Sequence, residues 1–127
     1  SEDLRLFRPK AKMLRSAAML AMKMKNSAVL VFTRSGDLAA KLGALRPNGA
    51  PLFAFTDVDG LHRRLRLIWG IEPFLMSFSE NPEVTVKNAI QKLKEENWVA
   101  EGDQLVTVTN VFAGGKVVES IQLREVD

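Results

Sequence analysis

The stretch Val29 to Leu38, VLVFTRSGDL, runs four apolar residues into a hydroxyl, a cation, a second hydroxyl and a glycine. An apolar run closed by Thr-x-Ser-Gly, after which apolar residues return at helical spacing, reads as a buried strand whose carboxyl end turns into a helix. In α/β folds such turns are where ligands sit, because the helix start presents unpaired N–H groups there. Thr33, Arg34, Ser35 and Gly36 are therefore the first candidates for an anion site.

Upstream, residues 8 to 25 place Leu14, Ala17, Ala18, Ala21 and Met24 at helical intervals, with Lys12, Arg15 and Lys23 mostly off that face. Met13, Met19, Met22 and Met24 read as adaptable core filler on this amphipathic helix rather than as a ligand box. Asn26-Ser27 breaks it and a strand over 28–33 follows. Gly36-Asp37 opens a helix carrying Leu38, Ala39, Leu42 and Leu45, which Arg46-Pro47-Asn48-Gly49 ends with turn chemistry.

Downstream, Pro51 to Thr56 is a second short apolar strand, with Thr56 or Asp57 available to cap a helix around Leu61, Leu65 and Ile68. Arg63, Arg64 and Arg66 then point outward. Ile71 to Phe78 holds a third strand, expected to centre on Phe74 to Met76 because Pro73 has no N–H for a ladder. Asn81-Pro82 is an N-cap followed by a first helical proline, and the helix runs to about Glu96. Trp98 to Asp103 is a turn; Leu105, Val106, Val108 and Val111 mark strand four, Gly114-Gly115 a tight reversal, and 116–126 strand five. Helices alternate with strands until the last two strands, which are joined directly. The expected fold is thus α/β: a mostly parallel sheet with helices on both faces and an antiparallel last strand at its edge.

At 127 residues the chain has the size of one domain, and 46% hydrophobic with 26% charged residues is the composition of an ordinary globular protein. The absence of cysteine excludes disulfides, thiolate nucleophiles and cysteine metal sites. The single His62 reads as a surface residue of its helix with no partner for a catalytic triad, and Trp69 and Trp98, each beside a turn, read as packing anchors. The net charge of +3 is concentrated early: Arg5, Arg8, Lys10, Lys12, Arg15, Lys23 and Lys25 face only Glu2 and Asp3. Residues 1–12 form a basic lead-in. No aromatic interleaving or RNA-binding signature accompanies it, so a solvated helix face is the expectation and a nucleic-acid partner is not. No apolar stretch is long enough to span a bilayer, and the first twelve residues are too charged for the centre of a signal peptide.

Four segments in register, AVLVFTRSGDLAAKL (28–42), LRPNGAPLFAFT (45–56), RRLRLIWGIEPFL (63–75) and WVAEGDQLVTVT (98–109), resemble the C-terminal domain of pyruvate kinase. They follow that family's strand, Thr-x-Ser-Gly turn, Arg-Pro turn, Arg-x-Leu helix, aromatic-Gly-Ile-x-Pro and Gly-Asp turn, and the likeness covers the chain from about residue 13. LRPNGAPLFAFT in particular resembles plastid and cyanobacterial members. The resemblance implies one domain over 1–127, with three αβα layers and five strands in the order 3-2-1-4-5, strand five antiparallel. It implies a regulatory and assembly role in an enzyme that makes ATP from phosphoenolpyruvate, partnered by a catalytic barrel and by further copies of itself. The barrel that binds phosphoenolpyruvate, ADP, Mg²⁺ and K⁺ has no counterpart in these residues, so the chain alone is expected to be inactive and to need no cofactor. A cytoplasmic or plastid-stroma location follows from the same likeness.

The resemblance also implies an effector site for a sugar phosphate, built from Thr33, Arg34, Ser35 and Gly36 with the glycines Gly114 and Gly115 of a later loop, Asn110 to Lys116. Several positions depart from the family pattern. Leu38 stands where bisphosphate binders carry a further hydroxyl, Thr85 where they carry a base, and Val118-Glu119-Ser120 where they carry Thr-Asn-Thr. Asp37 puts a carboxylate on the first helical turn, where it stabilises the helix and repels a phosphate, a conflict of about 1 kcal/mol. Three readings of the turn stand side by side: Thr33 and Ser35 as caps, a site for a smaller phosphate, or a sugar-bisphosphate site. A different class of function, a stand-alone interaction module using the basic N-terminal helix to hold a protein or nucleic-acid partner, remains the alternative.

Overall fold

The computed structural model describes residues 9–45, 50–113 and 115–127. Within these residues four helices, α1 (Pro9–Lys23), α2 (Asp37–Leu45), α3 (Asp59–Leu65) and α4 (Pro82–Glu95), alternate with the strands β1 (Ser27–Phe32), β2 (Leu52–Thr56), β3 (Ile71–Leu75) and β4 (Gln104–Ala113), and β5 (Lys116–Glu125) follows β4 directly. The strands form one sheet in the order β3-β2-β1-β4-β5. All neighbours are parallel except β4 and β5. This is the expected α/β architecture, with its antiparallel edge.

Period-two alternation divides the central strands between two cores. Val29 and Val31 of β1, Leu52 and Ala54 of β2 and Val106 and Val108 of β4 pack with Ala17 and Ala21 of α1, Leu42 of α2 and Leu61 and Leu65 of α3. On the opposite face Leu30, Phe53, Phe55, Phe74 and Leu105 pack with Ala89 and Leu93 of α4. Three helices thus cover one side and one covers the other, and β1 is buried on both, which is why its sequence is continuously apolar.

The ends of α4 are specified locally. The Asn81 side chain accepts the Glu83 N–H at 3.0 Å ahead of Pro82, as the sequence predicts. At the other end Asn97 adopts φ 64°, its N–H reaches Lys94 O at 3.1 Å and the Trp98 N–H reaches Leu93 O at 2.8 Å. These are the two hydrogen bonds of a Schellman motif, with asparagine in the left-handed position.

Four expectations are corrected. The residue at the cap position of α3 is Val58, whose side chain caps nothing, because Thr56 accepts the Val58 N–H and Asp57 is engaged elsewhere. Pro73 lies inside β3 rather than before it. The Met76 N–H reaches Thr56 O, so at period two Phe74 and Glu72 also aim their N–H groups at β2 and the intervening position 73 faces the open edge, where a proline costs no ladder bond. Trp69 is 84% exposed on the reversal after α3 and anchors nothing, whereas Trp98 does pack, edge-on to Phe53 and Phe74. Of the α1-region methionines with described side chains, Met24 packs on the core and Met19 is exposed. Residues 1–8 of the basic lead-in and the Arg46–Gly49 turn lie outside the described residues. Among the described residues no helix is long and apolar enough to cross a membrane.

Candidate functional site

After β1 the chain continues to β2 on one side, and after β3 it crosses to β4 on the other. The carboxyl end of β1 is therefore the topological switch point of the sheet, where open α/β folds place ligands. The turn Thr33–Gly36 occupies it.

Thr33 continues the parallel ladder, its N–H reaching Phe55 O at 2.9 Å, and its side chain is buried beneath the turn. The Thr33 hydroxyl accepts the Gly36 N–H at 2.8 Å, and the Ser35 hydroxyl accepts the Asp37 N–H at 3.2 Å. The two N–H groups that open α2 are thus held by the turn's own side chains. Gly36 has φ +87°, and a Cβ there would stand 2.8 Å from Leu61 Cδ1, so backbone conformation and close packing both require glycine.

Arg34 points out of the turn and forks onto Asp57, at 3.1 Å from Nε to each carboxylate oxygen and 2.8 Å from its second nitrogen to Oδ2. Its guanidinium also stands 5.4 Å from the ring centre of Phe78. The hydrogen bonds from Arg34 hold the Asp57 carboxyl below its ordinary value and push the arginine up in turn. A second fork closes the other side of the sheet: Arg124 of β5 reaches Glu83 in the first turn of α4 at 2.8 and 2.5 Å, again lowering the carboxyl.

The structure joins Thr33, Arg34, Ser35 and Gly36 but carries Gly115 away from them. Val31 pairs with Val108, so Thr33 is level with Asn110, and strand pairing continues to Ala113 opposite Lys116. The hairpin tip at Gly115 lies about 10 Å farther along the strand direction at 3.3 Å per residue. The segment expected to be an effector loop is, over Asn110 to Ala113, strand. Gly115 turns the hairpin with φ +75°, and Gly114 lies outside the described residues. Thr85 is buried, its hydroxyl accepting the Ser79 N–H at 2.7 Å, and Ser120 pairs with Thr109 at 3.1 Å. His62 is half-buried on α3, and among the described residues no group of three or more acidic or histidine side chains is placed to hold a metal.

The sequence reading missed Asp57 and Phe78. A signal for the first existed: β1 and β2 end in Phe-Thr-Arg and Phe-Thr-Asp, and the register pairs Phe32 with Phe55, which puts the two charges side by side.

Residues 11–118 match the family model for the pyruvate kinase alpha/beta domain. The chain is 34% identical over 103 residues to a chloroplastic pyruvate kinase isozyme A of Nicotiana tabacum, covering 81% of this chain and 17% of that protein. It is 33% identical over 103 residues to the isozyme A of Ricinus communis, covering 81% and 18%. The chain thus spans less than a fifth of the length of these relatives. Among solved structures it is similar to Cryptosporidium parvum pyruvate kinase in complex with ADP, with a TM-score of 0.75, 19% identity, and coverage of 90% of this chain and 24% of that one, a likeness of fold.

Proposed function

The chain belongs to the family of the pyruvate kinase alpha/beta domain, and we propose that it serves as the regulatory and assembly domain of such an enzyme, with a turn after β1 that is a self-capped junction rather than a sugar-bisphosphate site. Chemistry on phosphoenolpyruvate, with its Mg²⁺ and K⁺, belongs in this reading to the catalytic part of the enzyme, and the chloroplastic relatives favour a plastid protein. The observation that carries the reading is that neighbouring side chains engage the N–H groups of Gly36 and Asp37 and the charge of Arg34. The donors a phosphate needs at Gly36 and Asp37 are engaged by Thr33 and Ser35, and the cation that would draw an anion there is neutralised by Asp57. Asp37 adds a carboxylate at the same helix end. Among the described residues, Asn110 to Ala113 are paired as strand, ending with Ala113 opposite Lys116, rather than forming a loop that could fold over a ligand.

Calorimetry of the 127-residue chain with fructose 1,6-bisphosphate, repeated with inorganic phosphate, tests this. No saturable heat is expected for the bisphosphate. Micromolar binding of the bisphosphate by the unaltered chain would overturn this reading of the turn, and a double change Asp37→Asn with Leu38→Ser that leaves phosphate affinity unmoved would show that Asp37 does not repel an anion there and that the hydroxyls of Thr33 and Ser35 are caps alone.

A further inference from the structure

The opposite end of the sheet encloses a concavity of about 380 Å³, within the range of small-molecule sites. Its floor is apolar, made by Ala28, Phe53 and Leu105 at the amino ends of β1, β2 and β4. Met24 walls one side. Trp98 walls the other, and it is unusually well fixed for a side chain that remains 45% exposed. The Schellman motif of α4 sets its backbone, and Phe53 and Phe74 hold the indole at 5.7 and 5.9 Å in near-perpendicular contacts.

The polar rim differs from the turn at the other end of the sheet. Asn26 and Gln104 carry side-chain amides with no hydrogen-bond partner among the described residues, although the main chains of the two are joined by Gln104 N–H to Asn26 O at 2.9 Å. Asp103 Oδ2 accepts the Ala100 N–H at 2.8 Å, which leaves Oδ1. None of the described lining residues is a lysine or arginine, so nothing there compensates a phosphate or carboxylate, and Asp103 repels one. A fixed indole, an amide that can donate and accept along one edge and a carboxylate able to take an amine together suit a flat, uncharged heteroaromatic ring bearing an exocyclic amine. A glutamine amide pairs with adenine in this way, by one donor and one acceptor.

We propose that this concavity is a binding site for an aminopurine nucleoside, with the base against Trp98, its amine and ring nitrogen read by Gln104 and Asp103, and the sugar toward solvent. The site lies at the amino ends of the strands, away from the turn of Thr33, and stands whether or not that turn binds an anion.

Trp69, fully outside the concavity, can be changed to Phe so that Trp98 becomes the single tryptophan. Titration of the Trp69→Phe chain with adenosine should then give a saturable change in Trp98 fluorescence. Uridine should bind about tenfold more weakly, and AMP no more tightly than adenosine. Adding Gln104→Ala, with the circular dichroism unchanged, should weaken adenosine about tenfold through loss of its paired hydrogen bonds. No saturable change with adenosine, equal response to uridine, tighter binding of AMP, or full affinity in a folded Gln104→Ala chain would each overturn the assignment.

Discussion

At the carboxyl ends of β1 and β2 the hydroxyls of Thr33, Ser35 and Thr56 each accept an N–H of their own turn and Arg34 is forked to Asp57, whereas at the amino ends the side-chain amides of Asn26 and Gln104 have no partner among the described residues and stand beside a half-exposed indole. Topology nominates the first place for ligand binding, since it is the switch point of the sheet. Side-chain chemistry nominates the second. The contrast shows why a fold locates a possible site without granting it a function: whether N–H groups at a helix start are offered to a ligand depends on what the neighbouring side chains already do with them.

The largest effect that would break this comparison is at Gly36. If the turn is a rigid, self-satisfied junction, Gly36→Ala must both occupy a left-handed conformation and press on buried Leu61, at a cost of about 2–3 kcal/mol. Tm should fall by about 10 °C. The control is Gly115→Ala, also at positive φ but with open space around its Cβ, where about 1 kcal/mol is expected. Equal losses at the two glycines, measured by thermal unfolding, would mean that the turn at 33–36 has the slack of an ordinary hairpin tip.

Much of this was legible in the sequence, and the failures have identifiable causes. The continuous apolar run 28–32 gave away a strand buried on both faces, and Asn81-Pro82 a helix start, because both signals are local. The strand order came from the family resemblance, since pairing among non-consecutive strands leaves no periodic trace in a single sequence. Pro73 misled because edge and centre positions look alike until the neighbours are known. Trp69 misled because burial is a tertiary property: a tryptophan beside a turn is an anchor only if the turn folds back, and this one does not. At the site, Thr33 to Gly36 were recognisable by type, but the engagement of their groups was not. Whether a hydroxyl accepts from its own turn or faces a ligand depends on a few degrees of backbone rotation that residue identity does not encode.

A smaller effect, at Thr33, sharpens the contrast. Thr33→Val keeps shape and removes the acceptor of the Gly36 N–H, leaving a donor unpaired under the turn, at about 1–2 kcal/mol. Thr33→Ser retains the hydroxyl and should recover most of the difference in chemical denaturation. Equal loss in both variants would assign the role of Thr33 to packing.

The smallest expected effect is at Asp57, and pH separates it from packing. The Arg34 hydrogen bonds hold the folded-state carboxyl below its ordinary value, so the pair stabilises the fold above the unfolded-state pKa, near 4, and that contribution disappears as pH falls through the lower folded value. Because Arg34 is 67% exposed, solvent screening limits the pair to about 0.5 kcal/mol. Asp57→Asn should therefore lower Tm by about 2 °C from pH 5 to 8, with the deficit shrinking as the pH is taken below 4 and with added salt at any pH. The same change leaves Arg34 beside the Phe78 ring with an uncompensated charge, so weak binding of inorganic phosphate, absent in the unaltered chain, should appear at the turn. A deficit that persists unchanged at pH 3 would show that Asp57 acts through the shape of its loop, and an unaltered phosphate response would show that Arg34 was never what the turn withholds from an anion.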